Sequence, residues 1–145
     1  MPMVSPILAP AAVLLLWSLV VLFWMVITRF AAFSKAGITL GNAERGGRYV
    51  DVESQMPDSV NWKSHNYTHL MEQPTLFYGV VAVLALAGAG DGLNAQLAWT
   101  YAGLRIAHSL WQCLVNTIPV RVALFTLSTL CLLVLAINAV RATLG

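Results

Sequence analysis

Four stretches of this chain are mainly apolar over lengths that match a bilayer, and the few ionisable residues inside them must all be hidden from lipid. A helix rises about 1.5 Å per residue, so about 20 such residues cross about 30 Å of hydrocarbon. The stretches cover about 7–33, 64–89, 93–116 and 119–144. Of the 145 residues, 59% are hydrophobic and 10% charged, and the mean hydropathy is +0.74. Soluble domains carry about 25% charged residues. The deficit excludes a disordered chain, a nucleic-acid module and an ordinary soluble enzyme. A net charge of +2 is too small a bias to point to a polyanionic partner. Cys113 and Cys131 both lie in apolar runs and are too few for a disulfide framework. The expected architecture is all-α: one membrane domain over 1–145, a left-handed up-down bundle of four helices.

Local signals place the boundaries. Only Met1-Pro2-Met3-Val4-Ser5 precede the first run, which meets no charge before Arg29, so an uncleaved span is expected rather than a signal peptide. Gly88-Ala89-Gly90-Asp91-Gly92 is a short turn that ends the second helix and makes the second and third helices antiparallel neighbours. Asn116-Thr117 before Pro119 reads as a cap followed by proline in a first turn. Pro74 lies inside the second span, where a modest kink is expected. The one long connection, about 34–60, carries charges of both signs and reads as a solvated loop over the mouth of the bundle. Basic residues Arg29, Lys35, Arg45, Arg48 and Lys63 flank it, and Arg121 flanks the third connection. The positive-inside rule puts both connections in the cytoplasm.

Charges at membrane depth cost several kcal/mol unless paired or hydrated. On the third helix Tyr101, Arg105, His108 and Gln112 stand at i, i+4, i+7 and i+11. At about 100° per residue they fill an arc of roughly 60°, which must face the bundle or another subunit. Asn94 and Asn116 extend it. On the second helix His65, His69 and Glu72 share a face, widened by Asn66 and Gln73. Glu72 is the candidate partner of Arg105. The bland reading of such a pair is purely structural, and the histidines read equally as inert interfacial residues. A metal site on His65, His69 and Glu72 is an alternative without an HExxH motif, and no metal is assigned. The five tryptophans, Trp17, Trp24, Trp62, Trp99 and Trp111, read as belt or packing residues. Ser109 beside His108 lacks the third partner of a hydrolytic triad.

With these residues in view, the chain resembles the MAPEG family, membrane-associated proteins in eicosanoid and glutathione metabolism. The resemblance rests on four spans with a long basic first connection, on the stretch His65-Asn66-Tyr67-Thr68-His69-Leu70-Met71-Glu72-Gln73-Pro74, and on Arg105-Ile106-Ala107-His108 followed by Arg121. The bacterial members are the nearest in pattern. The resemblance implies a homotrimer, a bacterial inner membrane rather than the endoplasmic reticulum, and active sites at subunit interfaces. It also implies glutathione as cofactor and a transferase or peroxidase acting on lipophilic substrates. Arg121 is then expected to hold the thiolate, with Arg29 as second choice. His65, His69, Glu72, Tyr101, Arg105, His108 and Gln112 are expected to bind the cofactor, with Trp111 and Phe77 against the lipophilic substrate. Glutathione-using members carry Arg and Asn where this chain has His65 and His69, and Tyr where it has Gln112. An Arg fork holds a carboxylate in bidentate fashion, whereas a histidine offers one weaker, pH-dependent charge. Those departures equally suit a non-catalytic lipid-binding or structural subunit.

Overall fold

The computed structural model describes residues 4–145. Its four long helices are α1 (Leu8–Ala36), α2 (Asp58–Leu86), α3 (Gly92–Leu114) and α4 (Ile118–Leu144), with three single-turn 3-10 helices between α1 and α2. The chain is thus a four-helix bundle without strands among the described residues. α1, α2 and α4 are each long and apolar enough to cross a membrane. α3 falls short of that measure because its inward face is polar: Tyr101, Arg105, His108, Ser109 and Gln112 are all buried. The bundle is built inside out relative to a soluble protein. Leu16, Phe23 and Ile27 of α1 and Leu130, Leu133 and Val140 of α4 are exposed, which places an apolar surface against acyl chains while polar groups turn inward.

Heptad-like spacing sets the core. Leu14 and Val21 of α1, Leu70, Phe77, Val81 and Leu84 of α2, Ala98 and Tyr101 of α3, and Leu132 and Leu135 of α4 form one buried cluster. Positions three and four apart return to one side of a helix, so each element buries a single stripe. α2 begins well before its apolar run, at Asp58 after Pro57. Its first turns carry buried polar residues with partners: Asn61 donates to Glu53 O of the connection, and the Lys63 ammonium donates to Ser59 O and lies over the Trp24 ring of α1. The helix runs on through Pro74.

The connection is a fastened cap. Met56 and Val60 bury against Ala32. Arg29 donates to Ser64 Oγ at 2.8 Å and stacks over the Tyr49 ring at 3.8 Å. Tyr49 donates to Asn61 Oδ1 at 2.6 Å. Burial pushes the Tyr49 phenol above its ordinary value, with the Arg29 guanidinium pulling the other way, so the ring stays a neutral donor. At the opposite end the α2–α3 turn meets the start of α1, where the Ile7 amide donates to Gly90 O at 2.9 Å. A Cβ on Gly90 would stand 2.7 Å from Ile7 Cγ2, and Ile7 is fully buried. Gly90→Ala is therefore expected to cost about 1–3 kcal/mol through overpacking, read as a lower unfolding midpoint in detergent. An unchanged midpoint would mean that this junction yields freely.

Candidate functional site

The two polar faces expected from the sequence meet around His69. Its ring lies 5.0 Å from the His108 ring and 5.6 Å from the Phe125 ring, centroid to centroid. His69, His108, Ile118, Arg121, Val122 and Phe125 line a cleft of about 390 Å³ between α2, α3 and α4. One rim is apolar and open, since Ile118 and Val122 are 69% and 56% exposed. The other carries Arg121, whose Nη1 donates to Asn116 Oδ1 at 2.8 Å. Asn116 has φ 59°. Asparagine tolerates that left-handed conformation better than most residues, so the α3–α4 link aims an amide oxygen at the arginine that borders the cleft.

Arg105 stands behind the cleft and is fully buried. The expected Glu72–Arg105 ion pair is not formed. Arg105 instead faces His69, with Nη1 3.4 Å from Nε2 and Nη2 3.4 Å from the His69 carbonyl. Glu72 reaches the opposite nitrogen of the same ring, Oε2 to Nδ1 at 3.0 Å. The reason is geometric: Glu72 lies on the outer side of α2, its side chain 62% exposed, while Arg105 points into the bundle. The imidazole spans the gap between them. Arg105 Nε and Arg121 Nε are both buried without a hydrogen-bond partner.

The remaining expected site residues are dispersed. His65 is held by Glu53 from the connection, and its side chain is 55% exposed. Tyr101 is buried in the core, stacked on Phe77 at 4.3 Å, and donates to Gln73 Oε1 at 3.2 Å. Gln112 is buried, and its Oε1 has no partner. Arg29 belongs to the cap described above. Phe77 is fully buried in the core, and the phenylalanine that lines the cleft is Phe125. Trp111 is half-buried and donates to Thr117 Oγ1 at 3.0 Å. No group of three His, Cys, Asp or Glu side chains able to hold a metal occurs among the described residues. His69 in particular already faces a guanidinium on one nitrogen, a poor neighbour for a cation.

Two features escaped the sequence reading. The first is a buried knot in which Trp17 Nε1 and Asn66 Nδ2 donate to Ser109 Oγ at 2.9 and 2.6 Å. Its signal was present in the helical spacing of Asn66 with Leu70 and of Ser109 with Arg105. The second is a stripe along α2. His65, Thr68, Glu72, Thr75, Gly79, Ala82 and Leu86 are all exposed and alternate at steps of three and four. Small and polar residues at that spacing mark helix association in membranes. Set against known protein families, residues 7–141 match the MAPEG family. No curated protein and no solved structure matches the chain.

Proposed function

The chain belongs to the MAPEG family, and from that premise we propose that it is a glutathione-dependent transferase or peroxidase that takes lipophilic substrates from the bilayer. The working unit is a homotrimer in a bacterial inner membrane, with the cleft opening onto the crevice between copies. The α2 stripe supports the trimer: the Glu72 carboxylate is costly against lipid and needs a protein surface over it, and Gly79 and Ala82 let a neighbouring helix approach closely.

The observation that carries the reaction is the pair of arginines. Arg105 and Arg121 keep buried Nε atoms without partners, and neither forms a salt bridge among the described residues. A guanidinium stays charged at any working pH and donates only. Two such groups beside one cleft fit a ligand that brings negative charge, as glutathione does. When bound, glutathione supplies the thiol nucleophile. Arg121 at the rim favours the sulfur anion over the thiol, whose ordinary pKa is about 8.5. Arg105, buried behind the cleft, adds to its positive potential, and Glu72 attracts an ammonium. His108 offers a hydrogen bond from the cleft wall. Ile118, Val122 and Phe125 receive the apolar substrate from the lipid side.

The test is conjugation of glutathione to 1-chloro-2,4-dinitrobenzene by the purified protein. A carbon–sulfur bond forms, chloride leaves, and the thiol proton passes to solvent. Saturable turnover above the buffer rate supports the reaction. A second reading, lipid binding without chemistry, is favoured by one observation: His65 is engaged by Glu53 and Gln112 is sealed in the bundle, so fewer groups are free to grip a tripeptide. No turnover together with no heat of glutathione binding would favour that second reading.

A further inference from the structure

Arg105 is a standing cation in the interior of a membrane bundle with no carboxylate in contact. Desolvating such a charge without compensation costs several kcal/mol. The nearest formal negative charge is Glu72, one imidazole away. The guanidinium can only donate, so His69 Nε2, 3.4 Å from Nη1, accepts. Nδ1 then carries the ring proton and donates it to the Glu72 carboxylate at 3.0 Å. Both neighbours select the same neutral tautomer, in the way that a carboxylate orients a histidine elsewhere. The ring dipole turns its negative end to Arg105. Glu72 thus acts on Arg105 through His69, and the third face of that ring is the wall of the cleft.

We propose that His69 is a positioning residue that couples anion entry to proton uptake: an anionic group seated in the cleft arrives together with one proton, which is taken by His69 Nε2. The inference rests on the anion-accepting cleft proposed above and deepens it. The charged and titratable groups around His69 are Glu72 on α2, Arg105 and His108 on α3, and Arg121 on α4. The ionisable residues of α1 are remote from it, Arg29 being held on Tyr49 and Ser64. Before binding, the cations in this set outnumber the single carboxylate, which keeps the ring neutral. An added negative charge in the cleft sets two anions against the two arginines and removes that opposition. The Nε2 lone pair then accepts a proton. Arg105 keeps the His69 carbonyl as its acceptor. The reaction is protein plus anion plus one proton giving the complex, so affinity rises as pH falls, by at most about tenfold per pH unit.

The experiment is calorimetry of sodium octanoate binding to the protein in detergent micelles, in buffers of differing ionisation enthalpy between pH 6.5 and 8.5. The expected count is close to one proton taken up per octanoate. His69→Gln keeps an amide oxygen for Arg105 and cannot take up a proton, so its count is expected to fall to zero and its affinity to become flat with pH. Ring-¹⁵N spectra of the unsubstituted protein at pH 8, assigned by the loss of one signal pair in His69→Gln, should show His69 as the Nδ1–H tautomer alone. A count of zero in the unsubstituted protein, an unchanged count in His69→Gln, an Nε2–H tautomer, or no saturable octanoate binding would each overturn the inference. Proton uptake without glutathione turnover would leave this coupling standing and remove the proposed reaction; turnover without proton uptake would do the reverse.

Discussion

Replacing Arg121 by alanine is expected to lower kcat/KM for glutathione conjugation by about 10²–10³-fold, the usual loss when a preorganised group facing a developing anion is removed. Arg121 is anchored by Asn116 at 2.8 Å and borders the cleft from its rim, so its removal leaves the bundle core untouched. The pH profile distinguishes a charge effect from a lost contact. Without the cation the thiol must ionise unaided, and a free thiol does so at a pKa of about 8.5. The deficit should therefore shrink as pH rises toward about 9, where the anion forms without help. Arg121→Lys keeps a cation and should recover part of the loss. A deficit that stays constant with pH would assign Arg121 to packing.

His69→Leu is expected to cost about 1–3 kcal/mol of stability, the penalty for leaving a buried donor without its acceptor. The leucine leaves Arg105 fully buried with only the backbone carbonyl of residue 69 for its five N–H groups. The variant should accumulate poorly in membranes and unfold at lower temperature. The double change His69→Leu with Arg105→Leu removes the stranded cation as well and should restore most of the loss, since apolar residues of similar volume often replace buried ionic sets at little cost. Equal loss in the single and double variants would show that the arginine is satisfied in another way.

The bundle was readable from the chain because its apolar runs are governed by bilayer thickness, a constraint that acts on each run separately. The start of α2 was less so. Counting apolar residues put it near 64, yet the helix begins at Asp58, since Asn61 is held by the connection and Lys63 by Ser59 O and the Trp24 ring rather than by lipid. The inward faces of α2 and α3 follow from helical period alone, and His69, His108 and Arg105 do meet. The Glu72–Arg105 pair failed for a physical reason: sharing a face within each helix says nothing about the rotation of one helix against the other. That rotation turns Glu72 outward and puts His69 between the charges. Phe125 was missed because its role comes from α4, which carries no polar motif, and Asn116, read as part of the α3 stripe and as a cap, instead holds Arg121. The α2 stripe was present as Thr68, Glu72, Thr75, Gly79 and Ala82, but small residues at steps of three and four gain meaning only once the opposite side of the helix is known to be buried.

The measurement that bears most directly on a shared crevice between copies is cysteine cross-linking in native membranes, in a background with Cys113 and Cys131 replaced by alanine. Single cysteines at Thr75 and Gly79 on the exposed α2 stripe, and at Leu133 on the apolar outer face of α4, are oxidised under the same conditions. Disulfide-linked dimers at 75 and 79 and none at 133 are the predicted result. Monomer at all three positions, or cross-linking through 133 alone, would contradict it, because Glu72 would then face lipid and the cleft would have no neighbouring copy.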